Sequence, residues 1–201
     1  MLGNLFCVCI TGGIASGKST VVKLFQQLDI DSVCADTISK DILKPSSPLL
    51  HKIVNYFGDM ILQTDGNLDR KALGKLIFDD TEKRLWLENL LHPIIREEIK
   101  KQAMLAQSPY CVIDIPLLFK HHTHHYLDYI ITIDTPMNIQ ISRLINRDHQ
   151  TIESAYQIIN TQPKRSERYL ISNYIIQNIY DKHHLKKQVE SIHQHLLTLT
   201  N

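Results

Sequence analysis

Eight residues near the start of the chain, Gly12-Gly13-Ile14-Ala15-Ser16-Gly17-Lys18-Ser19, constrain it more than any others. They carry the spacing G-x-x-x-x-G-K-[ST], and Thr20 follows. The flanks give that spacing its meaning. Leu5 to Ile10 is a short apolar run that reads as a buried parallel strand, and Thr20 to Leu28 has apolar positions at helical intervals. Strand, glycine loop and helix start together make a phosphate cradle, because glycines let backbone N–H groups turn inward with no Cβ in the way. The new helix adds the positive end of its dipole, roughly half a charge. Lys18 can reach the terminal phosphates of a nucleoside triphosphate, and the Ser19 hydroxyl can coordinate Mg²⁺. The pattern predicts that the chain binds such a nucleotide, with Gly12 to Thr20 as its contacts.

At 201 residues the chain suits one α/β domain with small insertions. Lys plus Arg number 22 against 21 Asp plus Glu, so no overall field draws it to nucleic acid or to a membrane surface. Cys7, Cys9, Cys34 and Cys111 sit in or beside apolar runs, as small core residues do in a reducing compartment. The start lacks the apolar length of a signal peptide and no stretch is long enough for a membrane span, so a cytoplasmic protein is expected. No sequence feature sets an oligomeric state.

Strands are expected at Asp31–Ala35, Tyr110–Ile115, Tyr129–Ile133 and Tyr174–Ile176, with helices between them. This alternation predicts a five-stranded parallel sheet flanked by helices. Pro136 is expected in the first turn of a helix reaching Arg147, with Asp134 as its cap, and His184–Leu199 as a closing amphipathic helix. From about residue 45 to 108 the pattern is helical, Asp69 can cap a helix over Arg70–Phe78, and His92-Pro93 is expected to interrupt a later one. The segment is too long for a plain crossover and reads as an acceptor-binding insertion. About 147–169 reads as a lid, leaving a core of about 1–44, 109–146 and 170–201.

Ligands in open parallel sheets sit beyond the carboxyl ends of the strands. Asp36, just past the second strand, is either a base that deprotonates an acceptor hydroxyl or the N-cap of the next helix. Asp114 is either a Mg²⁺-shell carboxylate or a strand-end turn residue. Arg143 and Arg147, four apart, share a helix face that points toward Lys164, Arg165 and Arg168. Such cations suit a phosphoryl-transfer site, and equally a solvated face. The tract His121, His122, His124, His125 reads as a polar loop more than a metal site, and His92 as a helix-end residue or an acceptor contact.

The segments Ile10–Thr20, Val33-Cys34-Ala35-Asp36, Gly66–Arg70, Leu90-Leu91-His92-Pro93, Pro116-Leu117-Leu118-Phe119, Gln140-x-x-Arg143-x-x-x-Arg147-Asp148, Gln162 and Asn178 together resemble the dephospho-CoA kinases in order along nearly the whole chain. That resemblance implies a P-loop kinase that uses ATP and Mg²⁺ to phosphorylate the ribose 3′-hydroxyl of dephospho-CoA. It implies Asp36 as base, Lys18 and Arg147 as catalytic cations, and Arg143 as an ATP contact. Thr11, Asp36, Arg70, His92 and Leu117 become acceptor contacts. Four positions depart from the usual pattern: Ala15 for Gly, Cys34 for Asp, Lys120 for Glu and Asn173 for Asp. Ala15 is acceptable where φ is negative, and Lys120 removes any acceptor contact made by that Glu. The alternative is another small-molecule or nucleotide kinase on the same core. A guanine-nucleotide switch wants N-K-x-D, which is absent, and a motor wants an acidic pair where Asp114 is followed by Ile115-Pro116.

Overall fold

The computed structural model describes residues 5–78, 80–116, 118, 124–179 and 181–200. Strand β1 (Phe6–Gly12) is buried along nearly its full length and is the centre of the sheet. It pairs in parallel with β3 (Tyr110–Asp114) on one side and β4 (Tyr129–Asp134) on the other. Short β2 (Ser32–Cys34) adds outside β3 and β5 (Tyr174–Gln177) outside β4, giving the order β2-β3-β1-β4-β5. Continuous apolar runs are what such strands need, since helices cover both faces.

Helices α1 (Lys18–Gln26) and α9 (Lys182–Leu199) cover one face. Val21 and Phe25 of α1 meet Leu185, Val189, Ile192 and Leu196 of α9 over Val8, Ile10, Val112, Ile131 and Ile176. Within this core the Tyr110 hydroxyl lies 2.6 Å from His193 Nδ1, so each buried polar group satisfies the other. Burial lowers the His193 pKa. All four cysteines are free thiols, and Cys7, Cys9 and Cys111 are fully buried. Burial pushes Cys7 up to about 11, Cys111 up to about 12, and Cys9 higher still.

The chain divides into two compact units, the first of residues up to Cys34 and from Lys100, the second Ala35–Ile99. The second is helical: α2 (Ala35–Asp41), α3 (Pro48–Phe57), a 3₁₀ turn (Asp59–Ile61), α4 (Arg70–Phe78) and most of α5 (Thr81–Ala103). Its own core joins Leu50, Ile53, Phe57, Ile61, Leu73 and Leu87, and Tyr56 stacks on Trp86 at 3.9 Å between ring centroids. Gly58, with φ +84°, ends α3, and Asp69 caps α4 through the Lys71 and Ala72 amides, both at 2.9 Å. The Asp80 carboxylate caps α5. Pro93 does not interrupt α5, against expectation. Its ring removes one donor, and Asn89, whose carbonyl loses that bond, is exposed and can bond water instead.

In the first unit α6 spans Met137–Asp148, α7 Ile152–Asn160 and α8 Arg165–Leu170, the last unforeseen from the sequence. Asp134 does not cap α6. It is buried at the end of β4, and both its oxygens take the guanidinium of Arg165 on α8. No helix among the described residues is long and apolar enough to cross a membrane.

Candidate active site

The sheet places the glycine loop at the carboxyl edge of β1, where Gly12 lies level with Ile133 of β4 and, two residues back, Ile10 with Asp114 of β3. The loop runs from Gly13 to Gly17 and passes into α1 at Lys18. Gly17, the N-cap of α1, has φ +92°, in the left-handed region that favours glycine. The Lys18 ammonium folds back onto the Gly12 and Gly13 carbonyls, at 3.0 and 3.1 Å. Ser19 is exposed in the first turn of α1 and Thr20 half-buried. Thr11 is buried in β1, level with Thr132.

Ala15 overturns one expectation. Its φ is +55°, so the residue standing where Gly is usual adopts the left-handed conformation rather than a negative φ. A Cβ there costs roughly 1–2 kcal/mol. The surroundings hold it in place: Ile14 and Ala15 lie against Ile141, Leu144 and Ala155 of α6 and α7.

Polar side chains from several elements fix the carbonyls of the loop. Gln140 Nε2 donates to Ile14 O at 2.9 Å, and Arg143 Nη1 donates to Ala15 O at 3.0 Å. Ser16 O accepts from Asn178 Nδ2 at 2.7 Å and from Thr135 Oγ1 at 3.1 Å. Asn178 is itself tied down, its N–H donating to Asp134 O and its carbonyl accepting from Arg143 and Thr135. With carbonyls bonded outward, and the Ile14 and Ser16 amides taken by Gln162 Oε1 and Gly13 O, the other loop amides are left to face a phosphate. In the sequence, Gln140, Gln162 and Asn178 stand out only through the family resemblance and without a role, and Thr135 does not stand out. Their shared task, holding the loop through amides and a hydroxyl, is visible only in the fold.

The arginines separate. Arg143 is half-buried against the loop, and burial lowers its pKa. Arg147 shares its helix but not its environment: its guanidinium is exposed and bonded to neighbouring Asp148 at 2.7 Å through two nitrogens. That pairing raises the Arg147 pKa. Arg165 is raised by its bond to Asp134. Arg168 is half-buried, and desolvation lowers it. Gln162 Oε1 accepts from the Ile14 amide at 2.8 Å, so the segment between α7 and α8 rests on the loop.

Asp36 belongs to the second unit. Helix α2 begins at Ala35, so Asp36 lies inside the first turn and the N-cap reading does not hold. Arg70 opens α4 and donates to Ser39 O at 3.1 Å. His92 is exposed within α5, not at a helix end. Asp114 ends β3 in register with Cys34, so Cys34 spares that carboxylate a like-charged neighbour. Asn173 bonds Ile130 through its backbone N–H and accepts the Ile130 amide on Oδ1, at 2.8 Å, a task for which Asp is not needed. Leu117, Lys120, His121 and His122 lie outside the described residues. Among the described residues no group of three or more His, Cys, Asp or Glu can hold a metal ion. A Mg²⁺ ion at the Ser19 hydroxyl would draw its remaining ligands from phosphates and water, as this ion does in phosphoryl-transfer sites.

Residues 6–183 match the dephospho-CoA kinase family. The dephospho-CoA kinase of Legionella pneumophila (strain Paris) is 39% identical over 193 residues, 96% of each chain. The solved structure of the dephospho-CoA kinase from Campylobacter jejuni superposes with a TM-score of 0.71 at 28% identity, covering 97% of this chain and 98% of that one. Shikimate kinase from Bacteroides thetaiotaomicron, at 15% identity, shares the fold alone, with a TM-score of 0.54 over 95% of this chain and 98% of its own. The sheet with its loop and flanking helices is thus a P-loop kinase fold, and the chain belongs to the dephospho-CoA kinase family.

Proposed function

We propose that the chain transfers the γ-phosphoryl group of ATP to the ribose 3′-hydroxyl of dephospho-CoA, yielding coenzyme A and ADP. The observation that carries this reading is a full-length family match around an intact phosphate loop whose lysine is in place. The loop amides from Gly12 to Thr20 and the start of α1 cradle the phosphates. Lys18 exchanges the Gly12 and Gly13 carbonyls for β- and γ-oxygens, an anionic partner in place of neutral ones. Mg²⁺, held through Ser19, supplies charge neutralisation between those oxygens when bound.

Asp36 accepts the proton of the ribose hydroxyl as its oxygen attacks the γ-phosphorus and the bond to the bridging oxygen breaks. Thr11, Arg70, His92 and Leu117 contact the acceptor, within and beside an insertion of about residues 45–108. Arg143 orders the loop beside ATP, and Arg147 turns from Asp148 onto the phosphates as a lid of about residues 147–169 closes. The exposed Arg147–Asp148 pair holds that arginine weakly, since such pairs are solvated and salt-screened. Four free thiols and a near-neutral charge support a cytoplasmic protein with no nucleic-acid or membrane partner.

The test is a coupled assay with ATP, Mg²⁺ and a panel of hydroxyl acceptors. Dephospho-CoA should turn over far faster than any nucleoside monophosphate. Turnover of a monophosphate with none of dephospho-CoA would favour another small-molecule or nucleotide kinase on this core.

A further inference from the structure

Between α7 and α8 the chain lays a short strap on the phosphate loop. Gln162 accepts the Ile14 amide at 2.8 Å, and the Arg168 guanidinium lies by Gly13, where a Cβ would stand 3.6 Å from its Nη2. Lys18 also meets Gly13, its ammonium donating to the Gly13 carbonyl at 3.1 Å. The two cations therefore meet at the same residue of the loop. Lys18 marks that end as the one for the terminal phosphates.

Arg168 is short of acceptors. Its Nη1 donates to Pro163 O, but its Nε is buried with no hydrogen-bond partner among the described residues. The buried carboxylate nearest in the network, Asp134, gives both oxygens to Arg165. A half-buried guanidinium is ordinarily paired, because its desolvation is costly. Phosphate oxygens are the acceptors that match its planar fork. Ser16 adds a second unsatisfied group, a fully buried loop hydroxyl with no hydrogen-bond partner among the described residues.

We infer that Arg168 is a catalytic cation that contacts the γ-phosphate of the bound nucleotide, and that the Asp134–Arg165 pair is the positioning element that keeps α8 and the strap against the loop. This rests on the loop binding ATP, and not on the identity of the acceptor. Arg168 makes and breaks no covalent bond. It offsets charge that develops on the transferred group and on the leaving oxygen. Arg165, three residues before Arg168, acts through it: anchored on the buried Asp134 carboxylate, it fixes the turn of α8 from which Arg168 projects.

Binding of Mg·ATP and Mg·ADP is compared by calorimetry for wild type, Arg168→Met and Arg168→Lys, beside kcat for dephospho-CoA and a thermal melt. For Arg168→Met, ATP affinity should fall about tenfold with ADP affinity unchanged, and kcat by at least about 10²-fold. Arg168→Lys should recover part of both, and Arg165→Met should lower kcat with a smaller change in ATP KM. A folded Arg168→Met protein with the wild-type ATP-to-ADP affinity ratio and wild-type kcat overturns the inference, as does a loss confined to melting temperature. Should Arg168→Met fail to fold, an unchanged affinity ratio and kcat in Arg168→Lys overturn it as well. Wild type that binds ATP but does not turn over dephospho-CoA sinks the substrate assignment alone, and the affinity ratio still decides Arg168.

Discussion

Adding a single methyl group at Gly17 should damage the loop in a way that removal of a second side chain partly repairs. Gly17 has φ +92° and ψ +23°, and a Cβ there would collide with the side-chain amide of Asn178. Gly17→Ala therefore imposes left-handed strain of about 1–2 kcal/mol. It also drives Asn178 Nδ2 off Ser16 O, a 2.7 Å bond between buried groups, at a further cost of about 1–2 kcal/mol. That second figure sits toward the low end of its range because Thr135 Oγ1 still donates to Ser16 O at 3.1 Å. Asn178→Ala alone loses the same bond, about 1–2 kcal/mol. In the double variant the collision is gone, so the bond is lost once and not twice. The double variant should then be about 1–2 kcal/mol less destabilised than the sum of the singles. Urea unfolding of the four proteins, with a common m-value, measures this. Additivity to within about 0.5 kcal/mol would refute the reasoning, since it would mean the two positions do not share that space.

Ala15→Gly should relieve left-handed strain at φ +55° and stabilise by roughly 1 kcal/mol, a rise in Tm of about 2–4 °C; an unchanged or lower Tm contradicts it. Asp36→Asn keeps shape but cannot take a proton, so Tm and ATP affinity should hold while single-turnover transfer slows by about 10²-fold or more. Transfer at the wild-type rate would remove Asp36 as base. Arg147→Ala should lower kcat, by up to about 10³-fold, more than it weakens ATP binding, and an unaltered kcat returns Arg147 to the solvated face. His193 carries a folded-state pKa below its ordinary 6.5, so the unfolded chain binds more protons. Stability should hold above pH about 6.5 and decline as pH falls from there toward the lowered value. In melts between pH 7.5 and 5.5, His193→Gln should flatten that decline, and identical slopes would disprove it.

The sheet and the loop were legible in the sequence because each rests on local chemistry. Runs such as Tyr129–Ile133 are apolar throughout since both faces are covered, and the glycine spacing needs no partner to be recognised. What escaped was set by distant residues. Asp134 reads locally as a cap before Pro136, but Arg165, 31 residues later, claims it. Helix α8 is six residues long and has no buried side chain, so no periodicity could announce it. Pro93 reads as a break because its effect on its own helix is local, whereas α5 is kept by the packing of Leu87 and Ile99 on either side. Arg143 and Arg147 have the same spacing signal and different surroundings, so the sequence assigns them one face where the structure gives two environments.

The burial of three of the four thiols makes the remaining one an address. Cys7, Cys9 and Cys111 are shut inside the sheet, with pKa values that keep them protonated at neutral pH, while Cys34 is partly exposed at the end of β2. A maleimide dye added to the native protein should therefore attach at one position without engineering, two residues before Asp36. Unfolding in urea should raise the count of reactive thiols from one to four. The labelled protein then carries a fluorophore two residues before the proposed base, and if Asp36 serves as that base its emission should change when dephospho-CoA is added.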